Sequence, residues 1–397
     1  MINRRTALTG SGALLAGLAP LRALADTVNL PFANGERPIV KYPQKRPMIR
    51  LTRRPPQLET PFEVFDEGVI TPNDAFFVRY HLADIPLEID PDTYTIEIKG
   101  KVARPIKLKL SELKQMAPVE FVAVNQCSGN SRGFSEPRVA GGQLANGAMG
   151  NARWRGVPLK AVLERAGVHE DAKQATFNGL DGPVIDKTPD FVKALDLDHA
   201  MDGEVMIAYS MNGADLPMLN GFPVRLVVPG YYGTYWVKHL NEINVIDTVF
   251  DGFWMKSAYR IPDNDCACVE PGSAPKATRP IGRLNVRSFI TSVADGAKVK
   301  AGALSLKGIA FDGGAGIKQV EVSIDGGATW SPAKLGQDLG KYSFRQWTLP
   351  VTLAAGVHPL KVRAINNEGK GQPDKAIWNP AGYMRNVIET VNVTAAA

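Results

Sequence analysis

The chain has 397 residues, 44% hydrophobic and 22% charged, the proportions of a soluble globular protein long enough for two domains. Its 46 Lys and Arg exceed its 40 Asp and Glu only mildly, and no basic helix or aromatic-interleaved stripe accompanies them, which argues against nucleic acid. No apolar run is long enough to leave a membrane span in the mature chain.

The N-terminus reads as an export signal. Asn3-Arg4-Arg5-Thr6-Ala7-Leu8 precedes a weakly apolar stretch, Ala13 to Leu21, and then Ala23-Leu24-Ala25. A charged region with twin arginines, a short apolar core and an A-x-A site make residues 1–25 a Tat-type signal peptide. That route carries folded proteins, which suits a chain loaded with a cofactor before export, and implies a periplasmic location. Residues 26–61 are rich in Pro, Lys and Arg with little periodicity and read as an extended N-terminal arm, in which Arg50, Arg53 and Arg54 are solvated.

From Phe62 to about residue 275 the pattern is mixed α+β. Tyr94 to Ile98 alternates as a strand and ends at Gly100. Pro158 to Ala166 predicts a helix, with Leu159, Val162, Leu163 and Ala166 on one face, Pro158 in the first turn and Gly167 as the C-terminal cap. Phe222 to Pro229 and Leu240 to Val249 read as buried strands. Regular βαβ alternation is missing, which argues against a dinucleotide fold. The Pro/Gly-rich passage Pro271 to Pro280 marks a domain boundary. Beyond it, over 281–397, helix signals vanish. Val320, Val322 and Ile324 alternate into the hairpin signal Asp325-Gly326-Gly327, and Leu360, Val362 and Ala364 repeat the pattern. This predicts an immunoglobulin-like β-sandwich.

Three cysteines are too few for a disulfide scaffold. Cys266 and Cys268 form a C-x-C pair, either a strained local disulfide or two thiols. There is no C-x-x-C-H, hence no covalently attached haem. Cys127 stands in Asn125-Gln126-Cys127-Ser128-Gly129-Asn130-Ser131-Arg132-Gly133, where small turn-forming residues place its sulfur on a tight loop and Arg132 favours a thiolate and an anion. The spacing alone fits a nucleophile, a metal ligand or a structural turn. In Phe77-Val78-Arg79-Tyr80-His81, Arg79 and His81 share one face of a strand and offer donors to an oxyanion. In the third element, Gly221 to Gly230 followed by Trp236-Val237-Lys238, an apolar strand is interrupted by Arg225, with Lys238 close behind. Burying those two cations is costly unless they meet an anion such as a phosphate.

These three elements, in this order and spacing, resemble the molybdenum domain of the sulfite oxidase family, and the C-terminal sandwich resembles that family's dimerisation domain. The resemblance implies molybdenum held by a pyranopterin, with Cys127 as the protein's metal ligand, a role to which a soft thiolate is suited. It implies that Phe77, Val78, Arg79, Tyr80 and His81 line the cofactor, and that Asp181, Asn220, Arg225, Trp236, Val237 and Lys238 hold the pterin and its phosphate. Tyr259 is the implied active-site tyrosine, acting with Arg79, His81 and Arg132. The chain departs from the family's animal members at three places. Asn220 stands for a histidine and Leu144 for a pocket tryptophan. Ala381 replaces the arginine of a Trp-Asn-x-Arg-Gly segment, with Arg385 the nearest candidate to stand in for it.

The implied activity is oxidation of sulfite to sulfate, with electrons passing singly to a separate acceptor, a c-type cytochrome, and the implied assembly is a homodimer. Two other readings stand beside it. One is a molybdenum reductase of sulfoxides or N-oxides. The other is a secreted immunoglobulin-like binding protein, which leaves Cys127, Arg225 and Lys238 without a role.

Overall fold

The computed structural model describes residues 26–397; the export signal expected over residues 1–25 lies outside them. Strands dominate it. Among the described residues the five α-helices run from four to eight residues. The expected α+β region is therefore mainly β. With 38 Gly and 29 Pro in the chain, the backbone is punctuated too often for long helices. The longest helix, Leu159–Ala166, is the expected one: Leu159, Val162, Leu163 and Ala166 are buried, and Gly167 caps it at φ 75°.

The segment read as an extended arm forms a sheet. Thr27–Asn29, Glu36–Val40, Met48–Thr52 and Gln57–Glu59 pair antiparallel in chain order, and Gln57–Glu59 takes Val78–Arg79 as a fifth strand. Strands this short carry too few alternations to be legible as a period. Met48, Leu58, Val78 and Tyr80 form a small core there.

Two further sheets build the centre. In one, Gln174–Gly179 lies between Lys193–Asp196 and Leu240–Ile246, and the latter runs parallel to Thr95–Gly100. In the other, Met149–Pro158 lies between Val119–Gln126 and Met206–Met211, and Arg225–Val227 joins the latter. Arg225–Val227 is shorter than the run expected from Phe222, because Pro223 and Pro229 bracket it without backbone donors.

The C-terminal region is a two-sheet β-sandwich. One sheet centres on Gly302–Phe311 and Arg345–Leu353, the other on Gly356–Asn366 with Ile317–Ser323 and Thr390–Ala396. Inward residues of both, among them Leu306, Trp347, Val320, Leu360 and Val362, share one core. The alternation seen in the sequence is the pleat presenting every second side chain to that core. Leu306 is fully buried in it. Leu306→Ala is expected to lower stability by about 2–5 kcal/mol in chemical denaturation; a loss near zero would mean that the two sheets do not pack against each other.

Candidate active site

One strand sorts the first element by face. Phe77, Arg79 and His81 line a cleft, while Val78 and Tyr80 turn into the N-terminal sheet's core. The alternation of side chains along an extended backbone produces this split. The expectation that all five line a cofactor is corrected for the side chains of Val78 and Tyr80. Tyr80 instead donates its hydroxyl to His239 Nε2 at 2.6 Å, and His239 donates from Nδ1 to the Phe222 carbonyl.

Val119–Gln126 delivers the second element, ending just before Cys127. The loop that follows is tightly bonded: Cys127 N donates to the Ala148 carbonyl at 2.9 Å, and Asn130 N returns to the Cys127 carbonyl at 3.0 Å. Cys127 is buried, and it lines the cleft. Ser131 sits at φ 70° and is held by Arg287 of the C-terminal domain, whose Nη2 donates to Ser131 Oγ at 2.7 Å and to Glu389 at 3.0 Å. Arg132 lies against Gly129, with Nε on the Ala381 carbonyl at 2.8 Å. It is not among the residues that line the cleft but stands beside the Cys127 loop, one step back from Arg79 and His81 with which it was grouped. Leu144 is buried in the core and does not line the cleft. Arg385 does not take the place of the missing arginine: it bonds the Phe134 carbonyl and Glu389.

The third element supplies the far wall: Asn220, Arg225, Trp236, Val237 and Lys238, with Asp181 beside them. Arg225 is 3% exposed, bonded to the carbonyls of Asn220 and Trp236 at 2.9 and 3.0 Å, with its guanidinium 5.3 Å from the Trp154 ring. Burial lowers its pKa to about 9. Lys238 donates to the Arg79 carbonyl at 2.6 Å and lies over the Tyr80 ring. Burial brings its pKa down to about 7 against the opposing pull of Asp181, whose own carboxyl burial pushes up to about 6. Behind Asn220, the buried ammonium of Lys45 donates to its Oδ1 at 2.5 Å, and Asn220 Nδ2 bonds the Phe77 carbonyl.

The mouth carries the aromatic group. Tyr259 holds φ 58°, a costly conformation for a large residue, and its hydroxyl hydrogen-bonds His81 Nε2. His81 stacks on Phe191 at 3.7 Å, and burial, aided by Arg79, Lys238 and Lys193, drives its pKa well down, so the ring is neutral. Burial keeps the facing phenol protonated, so both partners of this hydrogen bond are neutral.

The cleft has the chemistry of a bound polar anion. Asn125 Oδ1, Ser128 Oγ, Arg225 Nε and Thr234 Oγ1 are buried atoms of residues that line it and have no hydrogen-bond partner among the described residues. Buried polar atoms are rarely left so. Gly233 adds a cradle: a Cβ there would lie 2.3 Å from Asn125 Oδ1. A pterin phosphate with its polar ring system fits these donors and acceptors, and Cys127 is the one thiol among the residues lining the cleft. Asn125, Ser128, Phe191, Leu219, Gly233 and Thr234 were not singled out from sequence. Asn125 and Ser128 flank Cys127 within the motif itself; the others carry no local signal.

Residues 81–254 match the oxidoreductase molybdopterin binding domain, and residues 278–396 the Mo-co oxidoreductase dimerisation domain. The mitochondrial sulfite oxidase of Macaca fascicularis is 34% identical over 92% of this chain and 69% of its own. The sulfite oxidase of Arabidopsis thaliana is 30% identical over 89% of this chain and 96% of its own. The sulfane dehydrogenase of Paracoccus pantotrophus has a similar fold, with a TM-score of 0.75 at 23% identity, covering 98% of this chain and 96% of that one. A cleft built for a polar anion around a single thiol, in a chain alike to these relatives over nearly its whole length, places this protein in the sulfite oxidase family of molybdenum-cofactor oxidoreductases.

Proposed function

We propose that this chain is an exported sulfite dehydrogenase that converts sulfite to sulfate and passes electrons singly to a separate c-type cytochrome. The observation that carries the reading is the buried cleft in which Arg79, Arg225 and Lys238 meet a single carboxylate, Asp181, around the Cys127 thiol. The names of the relatives supply the substrate; the residues supply its plausibility.

Cys127 would hold the metal, while Arg225, Lys238, Trp236, Val237, Asn220 and Asp181 would hold the pterin and its phosphate. When bound, the molybdenum cofactor supplies two-electron oxidation coupled to oxygen-atom transfer. The protein's part is binding, orientation and proton handling. Arg79 offers charge-assisted bonds to the oxygens of a small anion in a site shielded from water. The Tyr259 hydroxyl, which burial keeps protonated, is held against the neutral His81 ring and can orient an oxygen of the substrate. Arg132, above the Cys127 loop, adds positive potential at the entrance. Among the described residues Asp181 is the one carboxylate that lines the cleft, so a dianion meets little repulsion.

Residues 1–25 are the twin-arginine signal in this reading, and the protein works in the periplasm. The C-terminal sandwich is immunoglobulin-like and pairs two copies into a homodimer, as the description of its matching domain suggests.

Elemental analysis of the purified protein, paired with sulfite-dependent reduction of cytochrome c, tests the proposal. About one molybdenum per chain with turnover is the expected result. Metal without sulfite turnover would redirect the substrate to sulfoxides or N-oxides, and no metal from a host able to make the cofactor would overturn it. Cys127→Ser is expected to lower turnover at least about a hundredfold with the fold intact. Arg79→Gln should raise the KM for sulfite about tenfold or more and leave kcat less affected, the loss of a charge-assisted bond. Arg225→Met should reduce the molybdenum and pterin content of the purified protein, because a buried anion then loses its partner; full occupancy in that variant would remove Arg225 from the cofactor site.

A further inference from the structure

The segment 378–384 reaches from the C-terminal domain to the rim of the cleft, and its Tyr383 touches both groups that stand there. Its ring stacks on Tyr259 with centroids 5.5 Å apart and planes 6° from parallel. Its other contact is charged: the Arg132 guanidinium carbon lies 5.0 Å from the ring centroid. Tyr383 thus joins a cation to the phenol that lines the Cys127 cleft.

The loop is built to present this ring. Asn379, 1% exposed, accepts from Tyr383 N through Oδ1 at 3.1 Å and donates through Nδ2 to the Tyr383 carbonyl at 2.9 Å, closing the turn on itself. Gly382 takes φ 60° and lies so close to Arg132 that a Cβ would come within 2.8 Å of its Cγ. Only glycine lets the backbone rest on the arginine stem. From the other side, the disulfide-linked Cys266–Cys268 turn tethers the loop, with the Ala267 carbonyl accepting from Asn379 and Val269 N donating to the Trp378 carbonyl at 2.9 Å.

Arg132 depends on this loop for most of its fixing. Nε bonds the Ala381 carbonyl at 2.8 Å and Nη1 bonds the Gly142 carbonyl at 3.3 Å, and among the described residues Nη2 donates to no carbonyl or carboxylate. Tyr383 covers the guanidinium face. Tyr259, by contrast, has other anchors: its hydroxyl pairs with His81, and its carbonyl accepts from Ile281 N at 2.8 Å. Removing the Tyr383 ring therefore loosens the cation more than the phenol.

We propose that Tyr383 is a positioning residue for anion binding: the aromatic plate that holds the Arg132 guanidinium over the Cys127 loop, in register with Tyr259. The open Nη2 is then the arm that receives an oxygen of the anion. The chemistry it selects is a small oxyanion with charge spread over several oxygens, which sulfite and its product sulfate share. The inference rests on the sulfite dehydrogenase reading for its substrate, but the ring's effect on anion affinity is measurable without turnover.

The test compares Tyr383→Leu and Tyr383→Phe with the unaltered protein, all cofactor-loaded and matched for molybdenum content. Sulfite kinetics and calorimetric binding of sulfate are the two measurements. Tyr383→Leu is expected to raise the KM for sulfite and the Kd for sulfate together by about tenfold, the scale of a partly desolvated cation–π contact, with kcat within about threefold. Tyr383→Phe keeps the stacked face and should restore both constants to near their original values. If Tyr383→Leu proves unable to retain cofactor, Tyr383→Gln at this partly buried position carries the same expectation. Unchanged KM and Kd would overturn the proposal, as would a fall in kcat alone or a Tyr383→Phe variant as weak as the Leu. Failure of the sulfite reading appears differently, as an unaltered, metal-loaded protein without sulfite turnover. The sulfate comparison then still decides the role of Tyr383.

Discussion

The structure turns on a surplus of buried positive charge. Arg225 is nearly inaccessible, Lys238 is enclosed between Tyr80 and the Arg79 carbonyl, and Arg79 itself faces the same cleft. A single carboxylate, Asp181, opposes them. Desolvating that many cations is unfavourable by several kcal/mol each unless an anion shares the space. The protein tolerates it through carbonyl acceptors and indole faces, which hold the side chains without neutralising them. The lowered pKa values of Arg225 and Lys238 record the same imbalance. A site in this condition is prepared for an anion, and much of the surrounding architecture exists to keep it dry and rigid.

Several layers contribute to that rigidity. The N-terminal sheet backs the strand carrying Arg79 and His81, and the connection between two of its strands sends Lys45 in behind Asn220. The central sheets fix the starts of the Cys127 loop and of the Arg225 strand. At the mouth, Tyr259 adopts a left-handed backbone conformation that a free tyrosine avoids, and its neighbours hold it there by stacking and hydrogen bonding. Strain of this kind persists only where the surroundings over-determine it.

What could be read from sequence follows from what is local. Leu159–Ala166 announces itself because its cap residues and apolar spacing lie within ten positions of one another. The alternation in the C-terminal strands is legible for the same reason. The chemistry of Cys127, Arg225 and Lys238 was visible because a lone thiol in a turn and a cation within an apolar strand both demand explanation. The N-terminal sheet was missed because strands of two to five residues show no period, and its pairing with Val78–Arg79 is long-range. Val78 and Tyr80 were grouped with their neighbours although a strand presents them to the opposite face. Thr234, Phe191 and Tyr383 give no sign in sequence, since their importance arises only from what lies across the space from them. Arg385 looked suitable by position, yet Glu389 and the Phe134 carbonyl claim its guanidinium.

Arg287 carries a consequence for how the chain is assembled. It begins in the sandwich, is 1% exposed, and ends on Ser131 in the loop that bears Cys127. Its charge is matched by Glu389, also of the sandwich. The loop's geometry is thus completed by a group supplied more than 150 positions later in the chain. The two domains are consequently not separable modules: the Cys127 loop has its full support only when the C-terminal strands are in place. Severing the chain between the domains would withdraw both this support and the Tyr383 ring at the cleft rim, so the cleft is a property of the whole chain rather than of its first domain.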